Sequence, residues 1–181
     1  MSELKIYQAA EPTVPPAVFV ELAAIAGQLD RIGVRFERWS ASQPLAADAD
    51  QDAVLAAYRE PVERLMRQYG FQSADVVALG PAHPDKAALR AKFLDEHTHD
   101  DYEVRFFVEG QGLFYLHVGE RVYGVLCERG DLLSVPAHTT HWFDMGPNPS
   151  FKCIRLFTTP EGWVAQFTGR DIAQRFPRLD P

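Results

Sequence analysis

The sequence predicts a mainly β protein with helices (α+β), in which N-terminal helices decorate one small antiparallel β-barrel. Apolar residues recur at helical spacing mostly before residue 93. After it, short β-like runs alternate with turns rich in glycine and proline, which is typical of an antiparallel sandwich or barrel rather than of βαβ units. At 181 residues the chain fits a single domain, 1–181, with its helical part mainly in 1–92 and its barrel mainly in 93–160.

Prolines and glycines mark the limits of the N-terminal helices. Pro15 and Pro16 fit the first turn of a helix that should end before Gly33. A second helix is expected over 52–69, with a kink at Pro61, which lacks a backbone N–H. The remaining predicted elements of this part are a short helix at 86–92 and strands at 4–9, 34–39 and 73–79.

The barrel part is predicted from closely spaced strands. Turn residues separate them, for example the Gly-Gln-Gly at 110–112. A short helix over 161–167 and a surface-bound tail at 170–181 should complete the chain. The predicted strands are 103–109, 112–118, 122–127, 131–135, 141–145 and 151–158.

Net charge and cysteine content restrict the partners and the compartment. Lys and Arg total 18 against 25 Asp and Glu, and a chain with a net charge of −7 and no basic cluster is a poor binder of nucleic acid or anionic membranes. The sequence has no run of about 18 apolar residues, and its start lacks a signal-peptide pattern. Cys127 and Cys153 are expected to be buried free thiols. We therefore expect a cytoplasmic protein, and a monomer by default.

Two histidines and a glutamate are spaced to share one face of an extended chain. His97 and His99 are two residues apart, and Glu103 and Arg105 continue the alternation. Two imidazoles and one carboxylate suit a divalent transition metal, and such a face is the usual setting for non-haem iron. A straight strand would separate the first histidine from the glutamate by roughly 20 Å, so the chain should bend at 100–102.

A second polar element completes this pattern. Gly130 opens a strand that ends at Pro136, and His141 opens the next strand. The spacings His-x-His-x3-Glu-x6-Gly and Gly-x5-Pro-x4-His resemble the two motifs of the cupin superfamily. The resemblance implies a jelly-roll β-barrel whose four ligands to one metal ion are His97, His99, Glu103 and His141. His138, which stands where the second motif has glycine, remains an alternative ligand to His141.

Longer blocks resemble a narrower family. Glu-His-Thr-His at 96–99, Glu-Val-Arg-Phe-Phe-Val-Glu-Gly at 103–110 and Val-Pro-Ala-x-Thr-x-His-Trp-Phe-Asp at 135–144 are similar to acireductone dioxygenases. The resemblance implies one Fe(II) or Ni(II) ion per chain, with Co or Mn also accepted by such ligands. Tyr102 departs from the family pattern, where a small acidic residue is expected.

The same resemblance implies a reaction in methionine salvage. The small-molecule substrate would be the acireductone 1,2-dihydroxy-3-oxo-5-(methylthio)pentene, which is cleaved by O2. The Fe(II) form would give 4-methylthio-2-oxobutanoate and formate. The Ni(II) form would give 3-(methylthio)propanoate, formate and carbon monoxide.

Two arginines are candidate catalytic residues. Arg105 shares the face of the ligands, and Arg155 shares a face with apolar neighbours. A buried guanidinium needs an anion, and an enediolate substrate would supply one. The alternative is that each arginine pairs with a structural carboxylate such as Glu109 or Asp131.

Aromatic and acidic residues near the motifs are further candidates. Phe93, Phe143 and Trp163 could line an apolar substrate pocket for the methylthio tail, although each could equally belong to the core. Glu96 precedes the first ligand and is a candidate for a hydrogen bond to a ligand histidine. His117 is expected to have no functional role.

Two other functions would use the same ligands. Another metal cupin, such as an isomerase or a different dioxygenase, would not need the block at 104–110. A cupin that only binds or senses a small molecule would normally carry a DNA-binding domain, and the acidic N-terminal third has no basic recognition helix.

Overall fold

The computed structural model describes residues 1–46, 48–159 and 164–180, which form eleven β-strands, four α-helices and one 3-10 helix. The strands are β1 (Glu3–Gln8), β2 (Ala17–Phe19), β3 (Arg35–Arg38), β4 (Ser73–Leu79), β5 (His97–Thr98), β6 (Glu103–Val118), β7 (Arg121–Glu128), β8 (Asp131–Val135), β9 (Thr140–Asp144), β10 (Phe151–Phe157) and β11 (Gln166–Phe167). The helices are α1 (Leu22–Asp30), α2 (Gln51–Ala57), α3 (Arg59–Tyr69), α4 (Lys86–Leu94) and the 3-10 helix Ile172–Arg175. None of the described helices is long and apolar enough to cross a membrane.

Strand β6 belongs to both antiparallel sheets of the jelly roll. Its first half pairs with β8 and β10 in a sheet ordered β3-β8-β6-β10-β4. Its second half pairs with β7 and β9 in a sheet ordered β2-β1-β7-β6-β9-β5-β11. The two strands predicted at 103–109 and 112–118 are therefore one continuous strand.

Gly110 lies where β6 passes from one sheet to the other. Its φ of 70° is in the left-handed region. A Cβ at this position would lie 1.8 Å from the backbone oxygen of Ser150. Only glycine fits such a close approach, which explains the glycine that closes the first motif.

The two faces of β6 have different roles. Val54 of α2 and Leu65 of α3 pack with Phe106 in an apolar cluster on the outer side of the sheet. Because side chains alternate along a strand, Glu103 and Arg105 point to the opposite side. The helices therefore cover the back of the strand that begins at the predicted ligand glutamate.

The first predicted helix is present, but its predicted start at Pro15 is wrong. Residues 17–19 form β2 instead, and Phe19 pairs with Leu4 of β1. Residues 17–19 are held as a strand by their ladder with β1, and the β-branched Val18 suits extended backbone. Helix α1 begins only at Leu22.

The second predicted helix is two helices rather than one kinked helix. Helix α2 ends at Ala57 and α3 begins at Arg59. Pro61 cannot donate to the carbonyl of Ala57, and its ring would clash with that group in a continuous helix. In the first turn of α3, where backbone N–H groups have no helical partner, the same proline is tolerated.

The C-terminal part differs from its predicted helix. Residues 166–167 of the segment predicted as helical form β11, which pairs with β5, while 161–163 lie outside the described residues. The following tail lies on the sheet, where Phe176 contacts the stacked rings of Tyr115 and Trp142. The Tyr115 hydroxyl also donates to the backbone oxygen of Pro177 at 2.8 Å.

Candidate metal centre

Four side chains able to bind a metal ion converge inside the jelly roll. Three imidazole nitrogens and one carboxylate oxygen, one from each residue, all lie within 4.8 Å of one another. All four residues are buried, with exposed fractions of 2% to 7%. They are His97, His99, Glu103 and His141, the set that the paired motifs predict.

Strand pairing brings the first and the last histidine together. His97 on β5 pairs directly with His141 on β9, and their ring centroids are 4.5 Å apart. His141 also pairs with Leu116 of β6 on its other side. Directly opposed residues of antiparallel strands project to the same face, so both imidazoles point into the interior.

A tight bend brings His99 and Glu103 together, as the sequence predicts. The carboxylate of Asp101 accepts hydrogen bonds from the backbone N–H of Tyr102 at 2.7 Å and of Thr158 at 2.8 Å. It also accepts one from the Thr158 hydroxyl. These bonds fix the reversal, so the glutamate returns to the two histidines instead of lying about 20 Å away.

Backbone carbonyl groups orient all three ligand imidazoles. The Nδ1 atoms contact the carbonyl oxygens of Asp95 (His97, 2.6 Å), Val164 (His99, 3.2 Å) and Thr139 (His141, 2.7 Å). A carbonyl oxygen only accepts, so Nδ1 must carry the proton. In the neutral ring Nε2 then has the free lone pair that a metal needs.

The donor atoms fit a divalent cation. Oε2 of Glu103 lies 2.8 Å from Nε2 of His141, yet neither buried atom has a hydrogen-bond partner among the described residues. With the proton of His141 on Nδ1, two lone pairs face each other. A shared cation resolves this repulsion, and three imidazoles with one carboxylate suit Fe(II) or Ni(II).

The protonation states of the cluster favour metal binding. Burial, and secondly the neighbouring His141, lower the pKa of His97 to about 4, so its ring is neutral at pH 7. Burial alone would raise the pKa of Glu103, but the charge of Arg105 and the contacts with His141 and His99 together outweigh it and hold that pKa well below its usual range. The site thus presents a neutral imidazole at His97 and an ionised carboxylate at Glu103.

His138, the alternative ligand, lies outside the cluster. Its side chain is 72% exposed, with Nδ1 3.4 Å from Oδ1 of Asp100. Its φ of 63° is left-handed, which explains why the cupin motif has glycine there. The backbone of His138 does contribute, because its N–H donates to the carbonyl oxygen of His99 at 2.8 Å.

Tyr102, which departs from the family pattern, faces the outer side of the sheet. It is 46% exposed and lines a cavity of about 270 Å³ together with Tyr69 and Phe71. Val104, which faces the helices, lines the same cavity. The ring therefore points away from the ligand cluster.

Glu96 does not make the predicted hydrogen bond to a ligand histidine. Its buried carboxylate accepts from Nδ1 of His117 at 2.9 Å and from the hydroxyl of Thr168 at 2.6 Å. Backbone carbonyl groups, rather than the Glu96 carboxylate, accept the hydrogen bonds of the ligand imidazoles. His117, expected to have no role, therefore contacts the residue beside His97, and Thr168 was not identified from the sequence at all.

Arg155 has a carboxylate partner that the sequence analysis did not identify. Its Nε donates to Oδ1 of Asp75 at 2.7 Å, and Nη2 to Oδ2 at 2.5 Å. Asp75 lies directly opposite on β4. The two carboxylates that the sequence suggested as partners form ion pairs elsewhere. Glu109 pairs with Lys152, and Asp131 pairs with Arg38.

The predicted pocket aromatics have different environments. Phe143 is 2% exposed and packs on Phe114, with a ring-centroid distance of 4.8 Å. Phe93 is partly buried and lies edge-on to Phe143 at 6.3 Å. The guanidinium of Arg105 lies 4.9 Å from the centre of the Phe143 ring. Phe143 therefore supports that arginine from the core, while Trp163 lies outside the described residues.

Comparisons with known proteins agree over nearly the whole chain. A family model described as "ARD/ARD' family" matches residues 6–165. An acireductone dioxygenase of Methylococcus capsulatus is 64% identical over 168 residues, covering 93% of this chain and 90% of that protein. One of Pseudomonas aeruginosa is 58% identical over 180 residues, covering 99% of both chains. A solved acireductone dioxygenase of Bacillus anthracis, with a cadmium ion in its active centre, has a TM-score of 0.81 at 28% identity and covers 92% of this chain and 98% of its own.

The jelly roll and its buried cluster of three imidazoles and a carboxylate define a metal-dependent enzyme of the cupin class. The family match over residues 6–165 and the two similar proteins narrow this class to one family. The chain belongs to the ARD/ARD' family, the acireductone dioxygenases.

Proposed function

We propose that this chain cleaves 1,2-dihydroxy-3-oxo-5-(methylthio)pentene with O2, using one Fe(II) or Ni(II) ion held by four side chains. The ligands are His97, His99, Glu103 and His141. The observation that carries the proposal is the unsatisfied pair of buried atoms, Oε2 of Glu103 and Nε2 of His141, at the centre of a preoriented imidazole set. When bound, the metal supplies a Lewis acid that favours the deprotonated, electron-rich substrate.

The residues around the ligands have distinct proposed roles. Arg105 is a cation that is 6% exposed, so it can stabilise negative charge on the substrate in a site with little water. Burial of all four ligands excludes bulk water from the reacting atoms. Phe93 and Trp163 are proposed to contact the methylthio tail, with Phe143 supporting Arg105 from behind.

The ligand assignment is tested by comparing two histidines that are three residues apart in the chain. His141→Ala should lose most bound metal and most substrate-dependent O2 uptake, because it removes one of four ligands. The matched control His138→Ala should keep both, because its exposed ring lies outside the cluster. Metal analysis of the purified variants and an oxygen electrode give the readouts. Full metal retention by His141→Ala would refute the assignment.

We further propose that the protein is a single-domain monomer of the cytoplasm without a nucleic-acid partner. Its two cysteines are free and buried, as is usual in a reducing compartment, and its net charge of −7 disfavours nucleic acid. Sedimentation at several protein concentrations tests the monomer, since a dimer would sediment faster as concentration rises.

A further inference from the structure

Strand β5 carries the predicted ligand His97 and is followed directly by His99, yet it is weakly fixed by the rest of the sheet. It is two residues long, and its pairing with β9 consists of the single pair His97–His141. On its other edge it pairs, among the described residues, only with β11, through His97–Phe167 and Thr98–Gln166. Additional contacts must hold His97 and His99 in place, because a metal site tolerates little displacement of its ligands.

The residues 164–168, which we name the strap, provide several of these contacts. The carbonyl oxygen of Val164 accepts from Nδ1 of His99 at 3.2 Å. The ring of Phe167 packs against that of His97, with centroids 5.6 Å apart. The backbone N–H of Thr168 donates to the carbonyl oxygen of Glu96 at 3.0 Å. The strap thus contacts both histidines and the residue that precedes them.

The carboxylate of Glu96 connects the strap to the body of the sheet. Oε2 accepts from the hydroxyl of Thr168 at 2.6 Å, and Oε1 accepts from Nδ1 of His117, on β6, at 2.9 Å. Glu96 is 1% exposed, and a buried carboxylate is costly unless donors satisfy it. Its two donors come from elements far apart in sequence, so the carboxylate fixes both elements to the start of β5.

We propose that Thr168 and His117 are positioning residues of the metal site, which act through Glu96 to hold β5 with His97 and the adjoining His99. The inference rests on the ligand assignment proposed above. Because the strap and the metal engage the same short strand, metal binding and docking of the strap stabilise one another. Such coupling is reciprocal: bound metal strengthens docking of the strap by the same factor by which the docked strap strengthens metal binding.

Removal of a single hydroxyl tests the proposal. Thr168→Val keeps the side-chain volume but leaves Glu96 with one donor, and it should weaken Co(II) binding about tenfold, as loss of such supporting contacts commonly does. Thr168→Ser restores the hydroxyl and should recover most of the affinity. Thr13→Val, at an exposed turn, is the matched control and should bind Co(II) as the wild type does. Competition with a chelator measures the affinities.

Two further measurements separate positioning from a general loss of stability. In the wild type, Co(II) should slow amide exchange at 166–168, and Thr168→Val should lose much of this protection while the metal-free protein melts within a few degrees of wild type. At the other donor, His117→Asn keeps an N–H near the Nδ1 position and should bind Co(II) more tightly than His117→Ala. The comparison of His117→Asn with His117→Ala tests the positioning role even if Thr168→Val folds poorly.

Three results would overturn the inference. Wild-type affinity in both Thr168→Val and His117→Ala, with affinity lost in His141→Ala, would refute the positioning role and leave the ligand assignment intact. Equal weakening in Thr168→Ser and Thr168→Val would show that the hydroxyl is not responsible. Failure of the wild type to bind Co(II) would refute the proposed metal site and this inference together.

Discussion

Arg105 donates from Nε to Oε1 of Glu103 at 2.7 Å, while the other oxygen of the same carboxylate faces the imidazoles. The guanidinium also lies 5.1 Å from the centre of the Phe114 ring and 4.9 Å from that of Phe143. These contacts fix a permanent cation beside the ligand cluster. One arginine therefore both orients the ligand carboxylate and places positive charge where an anionic substrate would bind.

Replacement of Arg105 should separate metal binding from turnover. Arg105→Ala is expected to keep stoichiometric metal at saturating concentration, since all four ligands remain. Turnover should fall about a hundredfold or more, because a preorganised group that stabilises developing negative charge is lost. Oxygen uptake and metal analysis measure the two effects. Arg35→Ala, outside the ligand cluster, is the control, and unchanged turnover in Arg105→Ala would reduce Arg105 to a structural residue.

Arg155 is expected to behave differently from Arg105. It lies opposite Arg105 in the ladder between β6 and β10, but its guanidinium forms a bidentate pair with Asp75, and its side chain is 25% exposed. The anion that a buried guanidinium needs is thus supplied within the fold. We expect Arg155→Gln to lower the melting temperature slightly and to change turnover less than threefold. A loss as large as that in Arg105→Ala would instead restore the catalytic role that the sequence suggested.

Asp144 should make stability depend on pH. It accepts from Nε of Arg90 at 2.7 Å and from the backbone N–H of Gly146 and Leu179 at 2.9 Å each. Burial alone would raise the pKa of Asp144, but the bonds from these three residues outweigh it and lower that pKa. A lowered pKa means that the carboxylate stabilises the fold above about pH 4 and that this contribution is lost as pH falls through the folded-state pKa.

The Asp144→Asn variant measures that contribution. At pH 7 it should lower the free energy of unfolding by about 2 kcal/mol, because charged hydrogen bonds are replaced by neutral ones. Near pH 3 the difference from wild type should be smaller. Urea unfolding at both pH values gives the comparison, with Asp30→Asn at an exposed position as the control. An equal difference at both pH values would contradict the assigned pKa shift.

The sequence predicted three ligands from local alternation, and the resemblance to the second cupin motif added His141. His97 and Glu103 are close enough along the chain for alternation and one bend to relate them. Contacts that depend on long-range register were not predictable in this way. Asp75 meets Arg155 only because β4 and β10 are neighbours, and Thr168 meets Glu96 only because β11 pairs with β5.

Backbone constraints at the turns were only partly visible in the sequence. Pro61 indicated a disturbed helix, but whether it bends or ends the helix depends on how α2 and α3 pack separately on the sheet. His138 resembled a ligand because its left-handed φ cannot be read from residue type. In both places tertiary packing decides between local alternatives that the sequence leaves open.

The identity of the bound metal should select the products. Fe(II) and Ni(II) can share the same four side chains, and Ni(II) should bind more tightly by the usual divalent order. The bonds that hold Nδ1 of each imidazole and Oε1 of Glu103 come from the protein, so they are the same for either metal. Any difference in products must then come from the metal rather than from a different set of ligands.

Reloading the stripped protein tests this prediction. After removal of bound metal, separate samples receive Fe(II) or Ni(II), and formate, the 2-oxo acid and carbon monoxide are measured after addition of substrate and O2. We expect formate with both metals, the 2-oxo acid with Fe(II) and carbon monoxide only with Ni(II). His138→Ala, reloaded in parallel, should give the wild-type pattern, since its ring is outside the cluster. Identical products from both wild-type forms would show that the protein imposes a single outcome on the cleavage, whichever metal its three histidines and Glu103 hold.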